Sequence, residues 1–238
     1  MKVNFKKLHE SNLRTKLIAF LGLAFLVTIS FINSGGPGGL PQGDPGNGGL
    51  ALPGDFEAVV VSDSLGRARH LAVNKNGDIY VKLRVPNAKN QGSVALRDIN
   101  NDGKADIIEY FGNYPDTGNY GTAMRIHNGY LYFSTAGEIL RTKLTPGKLV
   151  PEGKTETIVI DNYKRGKSSH IAKPIAFDNK GNMYVPFGSP SDVCQIADRQ
   201  PGSMGQNPCP ELKEHAGVWK FSATKLNQKQ SDGTMYAT

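Results

Sequence analysis

A five-residue pattern recurs three times at a constant interval, and it restricts the fold more than any other feature of the sequence. The pattern is Gly-x-[Ile/Leu/Met]-Tyr-[Val/Phe], and its copies begin at Gly77, Gly129 and Gly181, 52 residues apart. Each copy follows a short apolar segment and a turn containing Asn, Gly or Lys, which predicts a β-hairpin. A third apolar segment follows each hairpin: "GSVALRD", "GEILRTKL" and "GVWKFSA". Equal spacing of four-stranded units at about 50 residues is typical of an all-β fold, the β-propeller.

The chain is short for such a ring. Residues 52–238 provide about three to three and a half units, whereas a propeller has at least four blades. We place the first strand at Leu52 or Phe56 and interpret the final "SDGTMYAT" as the lead-in to another strand. We therefore expect an incomplete β-propeller that is a portion of a longer protein, or else a ring completed by something outside the chain. The alternative is an all-β sandwich whose equal spacing is coincidental.

Residues 1–34 form a separate region that we expect to be a helical leader. A basic segment precedes an uninterrupted apolar run, Leu17–Ile32, which is typical of a signal peptide and short for a membrane span. No A-x-A cleavage site follows, so an uncleaved N-terminal anchor is the alternative. Residues 35–51 are a Gly/Pro-rich linker. The leader predicts a periplasmic or secreted protein, with the membrane involved only through an uncleaved leader.

The net charge of +7 comes mostly from the leader. Residues 1–34 contain five Lys/Arg and one Glu, a net +4, which leaves +3 for the rest of the chain. No basic stripe with interleaved aromatic residues occurs, so we expect no nucleic-acid partner.

Cys194 and Cys209 are the only cysteines, and both lie in a stretch rich in Pro, Gly and Gln. In an exported protein such a pair is most simply a disulfide that closes a short loop. A metal site would need more soft ligands nearby, and a redox pair would usually have C-x-x-C spacing.

The segment "DINNDGKADIIE" matches a twelve-residue calcium-binding loop by letter. The candidate ligands are Asp98, Asn100, Asp102, the carbonyl of Lys104, Asp106 and Glu109. Both flanks are strand-like rather than helical, so we interpret the segment as a hairpin loop and not an EF-hand. A strand would carry Glu109 away from the loop, in which case Asp106 replaces it as a ligand. The alternative is a solvated acidic turn with no ion.

His170 is the candidate catalytic residue. It follows a Lys/Ser loop and leads into the strand pair that contains the third repeat. In a propeller the loop that leads into an innermost strand opens onto the central channel, where a histidine can act as a general base. His70 lies at what we take to be the corresponding position of the first repeat. The alternative is an ordinary surface histidine.

Four segments resemble a known family: "RHLAVNKNGDIYVKLR", "ALRDINNDGKAD", "SSHIAKPIAFDNKGNMYVPFGSPSDVCQ" and "GQNPCPELKEHAGVWKF". They are similar to the sorbosone dehydrogenase-like branch of the soluble pyrroloquinoline quinone (PQQ)-dependent sugar dehydrogenases, and the resemblance extends from residue 52 to the end. It implies an exported six-bladed propeller that holds PQQ on a calcium ion, of which this chain is the N-terminal half. His170 would take the proton of a sugar hydroxyl while hydride passes to the quinone, and an external electron acceptor would reoxidise the cofactor. Gln195 is the nearest match, one residue out of register, to a glutamine that contacts the quinone.

The sequence also departs from that family. The Arg-Asn loop, the ligands of the cofactor's calcium and the basic residues that hold PQQ belong to later blades and are not present, so we expect this portion to be inactive alone. Ser169 stands where an acidic residue often precedes the histidine, which leaves the substrate open between a sugar and a sugar-derived aldehyde. The Asp98 loop is not the cofactor's calcium site. Two other functions are consistent with the pattern: a propeller module that binds carbohydrate or protein without catalysis, and a calcium-dependent, lactonase-like hydrolase.

Overall fold

The computed structural model describes residues 39–113, 123–161 and 170–238. The chain divides into two compact units, 1–42 and 43–238. Only residues 39–42 of the first unit are described, and they form no helix or strand. The predicted leader lies outside the described residues. Within the described ranges, no helix is long and apolar enough to cross a membrane.

The second unit is all-β, as predicted, and its strands form three sheets in which every pairing but one is antiparallel. Sheet 1 contains β1 (Ala68–Val73), β2 (Ile79–Leu83), β3 (Gln91–Arg97) and β4 (Ile107–Asn113). Sheet 2 contains β5 (Met124–His127), β6 (Tyr130–Ser134), β7 (Glu138–Lys143) and β8 (Glu156–Ile160). Sheet 3 contains β9 (Ala176–Phe177), β10 (Asn182–Phe187), β11 (Gly217–Ser222) and β13 (Thr234–Ala237). Short 3₁₀ turns at Pro45–Gly49, Pro210–Lys213 and Gln230–Asp232 complete the described elements.

Each repeat occupies the same place in its sheet. The glycines at 77, 129 and 181 have φ angles of 91°, 77° and 84° in the turns between the first two strands, a conformation that favours glycine. The repeat tyrosines Tyr80 and Tyr132 are buried against the next sheet, where their hydroxyls donate to Leu149 O (3.0 Å) and Ala223 O (2.9 Å). The 52-residue repeat therefore reflects one sheet per repeat.

The three sheets pack in series through two apolar layers. One layer joins the Tyr80 face of sheet 1 to Leu131, Phe133 and Leu140 of sheet 2. The other joins the Tyr132 face of sheet 2 to sheet 3: Met183, Val185, Phe187, Trp219 and Phe221. The first strands β1 and β5 approach closely, as expected for innermost strands of adjacent blades. The arrangement is propeller-like, and the described sheets do not close into a ring.

A short strand that follows β11 of sheet 3 in the chain pairs with sheet 2. The loop between β11 and β13 contains β12 (Gln228–Lys229), which pairs in parallel with β8 at the outer edge of sheet 2. The Gln228 amide donates to carbonyls on both sides, Ile158 O and Ser222 O. The two sheets are therefore joined at the outer edge as well as through the core.

Two details of the predicted strands were wrong. The first strand begins at Ala68 rather than at Leu52 or Phe56, because residues 56–65 pack Val61 and Leu65 on the face of sheet 1 instead of extending its edge. The final segment does not start a fourth sheet. It forms β13, which pairs with β11 as the outer strand of sheet 3.

Candidate functional site

His170 lies in the loop before β9 and packs against the end of β10. Its backbone is so close to Gly188 that a Cβ at position 188 would lie 1.8 Å from the carbonyl oxygen of His170. Glycine is therefore required at 188 by close backbone approach. This contact places the imidazole beside the long loop between β10 and β11, residues 188–216, which we call the disulfide loop.

Both imidazole nitrogens of His170 face acceptors. Nδ1 lies 3.0 Å from Ser189 O, and Nε2 lies 3.3 Å from a carboxylate oxygen of Asp192. The side chain is 50% exposed. Because a carbonyl and a carboxylate both accept, each ring nitrogen of His170 faces a group to which an N–H can donate.

Asp192 is held by Arg199 of the same loop. The guanidinium donates from Nε to Oδ2 and from Nη2 to Oδ1, the latter over 3.0 Å. These hydrogen bonds hold the pKa of Asp192 below its usual value, with a further contribution from the charge of His170. The carboxylate beside His170 is therefore ionised and oriented.

The disulfide loop contains the predicted bond between Cys194 and Cys209. Glu211, two residues after Cys209, accepts a hydrogen bond from the hydroxyl of Ser189, and the carbonyl of Ser189 contacts His170. Burial raises the pKa of Glu211, but the hydroxyls of Ser189 and Ser191 more than offset this and bring it below its usual value. The disulfide thus supports the side of the loop that faces the imidazole.

Gln195 lies in the same loop, and its amide is bonded within it. Nε2 donates to Ser203 O over 3.0 Å, and Oε1 accepts the backbone N–H of Arg199 over 3.1 Å. A contact with a quinone would require the amide to exchange these partners, so that role stays a prediction.

A buried charged cluster lies next to the disulfide loop and the residues that follow His170. Lys173 Nζ is 2.8 Å from Asp161 Oδ2, and His215 Nε2 is 3.7 Å from Asp161 Oδ1. Burial alone raises the pKa of Asp161, but the proximity of His215 and the charge of Lys173 bring it below its usual value. This cluster could not be predicted, because nothing in the sequence pattern marks these three residues as partners.

His70 is not equivalent to His170. It lies inside β1, opposite Lys82 of β2, whereas His170 lies in a loop six residues before β9 begins. Burial, followed by the charges of Arg125 and Arg69, lowers the pKa of His70. The interpretation of His70 as the corresponding loop residue was wrong, because β1 begins two residues before it.

The Asp98 loop connects β3 and β4 of sheet 1, so it is a hairpin loop, as predicted. Its oxygens accept N–H groups of the loop itself: Asp98 those of Asn101 and Gly103, Asn100 that of Asp102, Asp102 that of Lys104, and Asp106 that of Ile99. Lys104 Nζ pairs with Asp44, 2.5 Å away, and Glu109 lies on β4 opposite Ala95. Carboxylate and amide oxygens are the ligands calcium prefers, but the carboxylates of this loop are not among the described groups close enough together to hold a metal ion, so calcium binding stays a prediction.

The described residues do not complete a PQQ site. A planar tricarboxylate needs cations, and among the described residues the hydrogen bonds and ion pairs around His170 include one guanidinium, Arg199, which Asp192 already neutralises. The site supplies a candidate base with an oriented carboxylate partner.

The sequence matches no protein-family model, and no curated protein is significantly similar to it. Solved structures do share its fold. The holo form of the PQQ domain of pyranose dehydrogenase from Coprinopsis cinerea is 15% identical, with a TM-score of 0.57, over 84% of this chain and 44% of that one. The calcium structure of a family AA12 carbohydrate-active enzyme from Trichoderma reesei is 13% identical, with a TM-score of 0.52, over 74% of this chain and 42% of that one. The chain has the fold of these domains and spans less than half of their length.

Proposed function

We propose that this chain is the N-terminal portion of an exported PQQ-dependent dehydrogenase that oxidises a sugar or sugar-derived aldehyde of the aldose or sorbosone type. The predicted leader would direct it to the periplasm or outside the cell. The proposal is supported by the shared fold and by coverage of 42–44% of the two neighbours, which leaves room for further blades. PQQ would be the oxidant of the complete protein.

The observation that carries the proposal is the position of His170. A half-exposed imidazole in the loop before an innermost strand faces a backbone carbonyl and an ionised carboxylate. A general base must be within reach of substrate and must be stabilised once protonated. His170 would accept a hydroxyl proton at Nε2, Asp192 and Ser189 O would stabilise the resulting imidazolium, and Arg199 would keep Asp192 oriented.

The test uses the complete protein to which this portion belongs, loaded with PQQ and calcium, with dye reduction by aldoses and sugar aldehydes as the readout. We expect His170→Gln to lower kcat by roughly 10²- to 10⁴-fold, the usual contribution of a general base. His127→Gln is the matched control, because the described contacts of His127 are with Phe177, Tyr132 and Asn128, none of which belongs to the disulfide loop. A full rate in His170→Gln would remove the role of His170. Tight PQQ binding without oxidation of any sugar or aldehyde would reject the dehydrogenase.

We further propose a structural calcium ion in the Asp98 loop, with Asp106 rather than Glu109 as a ligand. Calcium binding to the folded state alone raises its stability by about 2.7 kcal/mol at one hundred times the dissociation constant. Asp106→Asn should remove most of the calcium-dependent rise in Tm, whereas Glu109→Gln should keep it. Equal loss in both variants would place Glu109 in the site, and no rise with the unaltered chain would mean an ion-free turn.

A non-catalytic binding module is the second candidate, and one observation favours it. The disulfide loop, whose residues Ser189 and Asp192 contact His170, presents Val193, Ile196 and Met204 to solvent. Large exposed apolar side chains on a disulfide-bonded loop are typical of a contact surface. Sugar binding that survives His170→Gln in the absence of PQQ would support this function over the dehydrogenase.

A further inference from the structure

Asp161 and Lys173 stand at the two ends of the segment that carries His170. Asp161 directly follows β8, and Lys173 precedes β9. Their charged groups meet at 2.8 Å, and the side chains are only 4% and 2% exposed. The ion pair therefore joins two residues that flank His170 in the chain, and we call the described residues 170–172 the His170 loop.

The ammonium of Lys173 also fixes the backbone around it. Nζ donates to Ala136 O, 2.5 Å away in the β6–β7 turn, and to Ile171 O, 3.1 Å away. With Asp161 these carbonyls give three acceptors for the three ammonium protons. Since Ile171 directly follows His170, Lys173 links the His170 loop to a turn of sheet 2.

The second oxygen of Asp161 points to the disulfide loop. Oδ1 is buried and has no hydrogen-bond partner among the described residues, and the nearest polar group is His215 Nε2 at 3.7 Å. His215 lies at the end of the disulfide loop, which also contains Ser189 and Asp192, the two acceptors of the His170 imidazole. One carboxylate therefore contacts both loops that meet at His170.

Stability alone is a weak reason for such a cluster. Replacement of a buried ion pair by apolar residues is often neutral or stabilising, whereas a buried pair with several directional contacts fixes one geometry. Here those contacts define the relative placement of the two loops.

We propose that Asp161 is a positioning residue that sets the placement of His170 through Lys173 and His215. The catalytic purpose of that placement rests on the proposed function, but the placement itself is a property of this chain and can be measured without cofactor or sugar.

The experiment follows the ring carbon signal of His170 by NMR as a function of pH in the full chain labelled with ¹³C-histidine. Asp192→Asn sets the reference, because it removes the charge of the carboxylate beside the imidazole. We expect Lys173→Met to shift the His170 titration in the same direction as Asp192→Asn and at least half as far, and His215→Gln to shift it less.

Lys82→Met is the matched control. Lys82 is equally buried, and its ammonium also donates to two carbonyls, Leu83 O and Gly92 O, but it lies on sheet 1. It should leave the His170 titration unchanged whatever it does to stability. A shift in Lys82→Met as large as in Lys173→Met would show a general loosening and overturn the proposal.

Lys173→Arg keeps the charge and serves if Lys173→Met does not fold. A planar guanidinium cannot reproduce the three contacts of the ammonium, so a smaller shift in the same direction is expected. An unchanged titration in the folded variant overturns the proposal. Absence of dehydrogenase activity in the complete protein would reject the proposed function and leave the titration result intact.

Discussion

Among the described residues, Lys82 and Lys173 have buried ammonium groups, and their surroundings differ. Lys173 faces Asp161, whereas Lys82 Nζ donates to two backbone carbonyls at 3.0 and 3.2 Å. Burial lowers the pKa of Lys82 to about 8 from an ordinary 10.5. The charged form of Lys82 is therefore disfavoured by folding, which has a measurable consequence at alkaline pH.

We expect the Lys82 contribution to the free energy of unfolding to rise as pH increases from about 8 to 10.5. In this range the unfolded chain binds the proton that the folded chain has lost, so stability increases with pH. The whole effect is about 3 kcal/mol. Urea unfolding of the unaltered chain and of Lys82→Met at pH 7.5, 9 and 10.5 measures it. If the difference between the two proteins does not change with pH, the lysine is not destabilised by burial.

Gly188 gives a prediction about the placement of His170. A methyl group at 188 would lie 1.8 Å from the His170 carbonyl oxygen, so Gly188→Ala must displace the His170 loop. We expect a loss of about 1–3 kcal/mol, the usual cost of overpacking. Gly205→Ala, in the same disulfide loop, is the control, because its Cβ would meet no atom within 4 Å. Equal stability of the two variants would contradict the close approach.

At the scale of elements, the disulfide loop determines the site more than any strand. Cys194 and Cys209 are 15 residues apart, and a loop of this length gains about 3 kcal/mol from closure in the chain-entropy model. We expect Cys194→Ser/Cys209→Ser to lose about this amount in urea unfolding and to respond no further to reductant. Stability equal to that of the oxidised chain would mean that Glu211 and Arg199 hold the loop without the bond.

The sequence predicted the strands better than it predicted the site. Gly181 and Tyr184 belong to a local pattern whose turn and alternation fix a hairpin, so the sheets followed from the repeat. His170 could be proposed as a candidate, and the disulfide predicted, because a loop histidine and a cysteine pair can each be recognised in the sequence without knowing their partners. Asp161 and Asp192 were not found, because their roles depend on partners brought together from different loops by packing.

Partners that only packing brings together also explain the two wrong strand predictions, at residues 56–65 and in the last segment of the chain. Residues 56–65 are rich in β-branched side chains, which predicts a strand, but their hydrogen bonds go elsewhere, for example from Val60 N to Asp44 Oδ2. The last segment was interpreted as the lead-in to another strand, but Thr234–Ala237 is itself the strand β13. The sheet that a strand joins depends on a partner distant in sequence. Here β13 pairs with β11, although β12 lies between them in the chain.

At the scale of the whole molecule, sheet 2 lies between two neighbours, whereas the outer faces of sheets 1 and 3 keep exposed side chains, although Val61 and Leu65 cover part of the outer face of sheet 1. On sheet 1, Leu71 and Val73 are 55% and 58% exposed. On sheet 3, Tyr184 pairs edge-on with Tyr236, which is 66% exposed. In the proposed complete protein these faces would meet further blades.

Substitution of the three repeat tyrosines, Tyr80, Tyr132 and Tyr184, tests this arrangement through the free energy of unfolding. Tyr132 and Tyr80 are equally buried, but the Tyr132 hydroxyl has two described hydrogen bonds: it donates to Ala223 O of the neighbouring sheet and accepts from Arg141 Nη1 at 3.1 Å. Tyr132→Phe leaves a buried carbonyl and a buried guanidinium N–H without this partner, so we expect a loss of about 1–3 kcal/mol. Tyr80→Phe removes one bond between sheets and should cost about 1 kcal/mol.

Tyr184→Phe should cost less than about 0.5 kcal/mol, because the Tyr184 hydroxyl bonds Asp178 within its own sheet on a face that water reaches. The three variants differ by the same single oxygen at equivalent positions of the repeat, so urea unfolding compares packing alone. The order Tyr132, Tyr80, Tyr184 follows from sheets packed in series, with sheet 2 in the middle. Equal costs would mean that the third sheet is covered like the other two, for example by a second molecule. A concentration-dependent unfolding midpoint would then identify that contact.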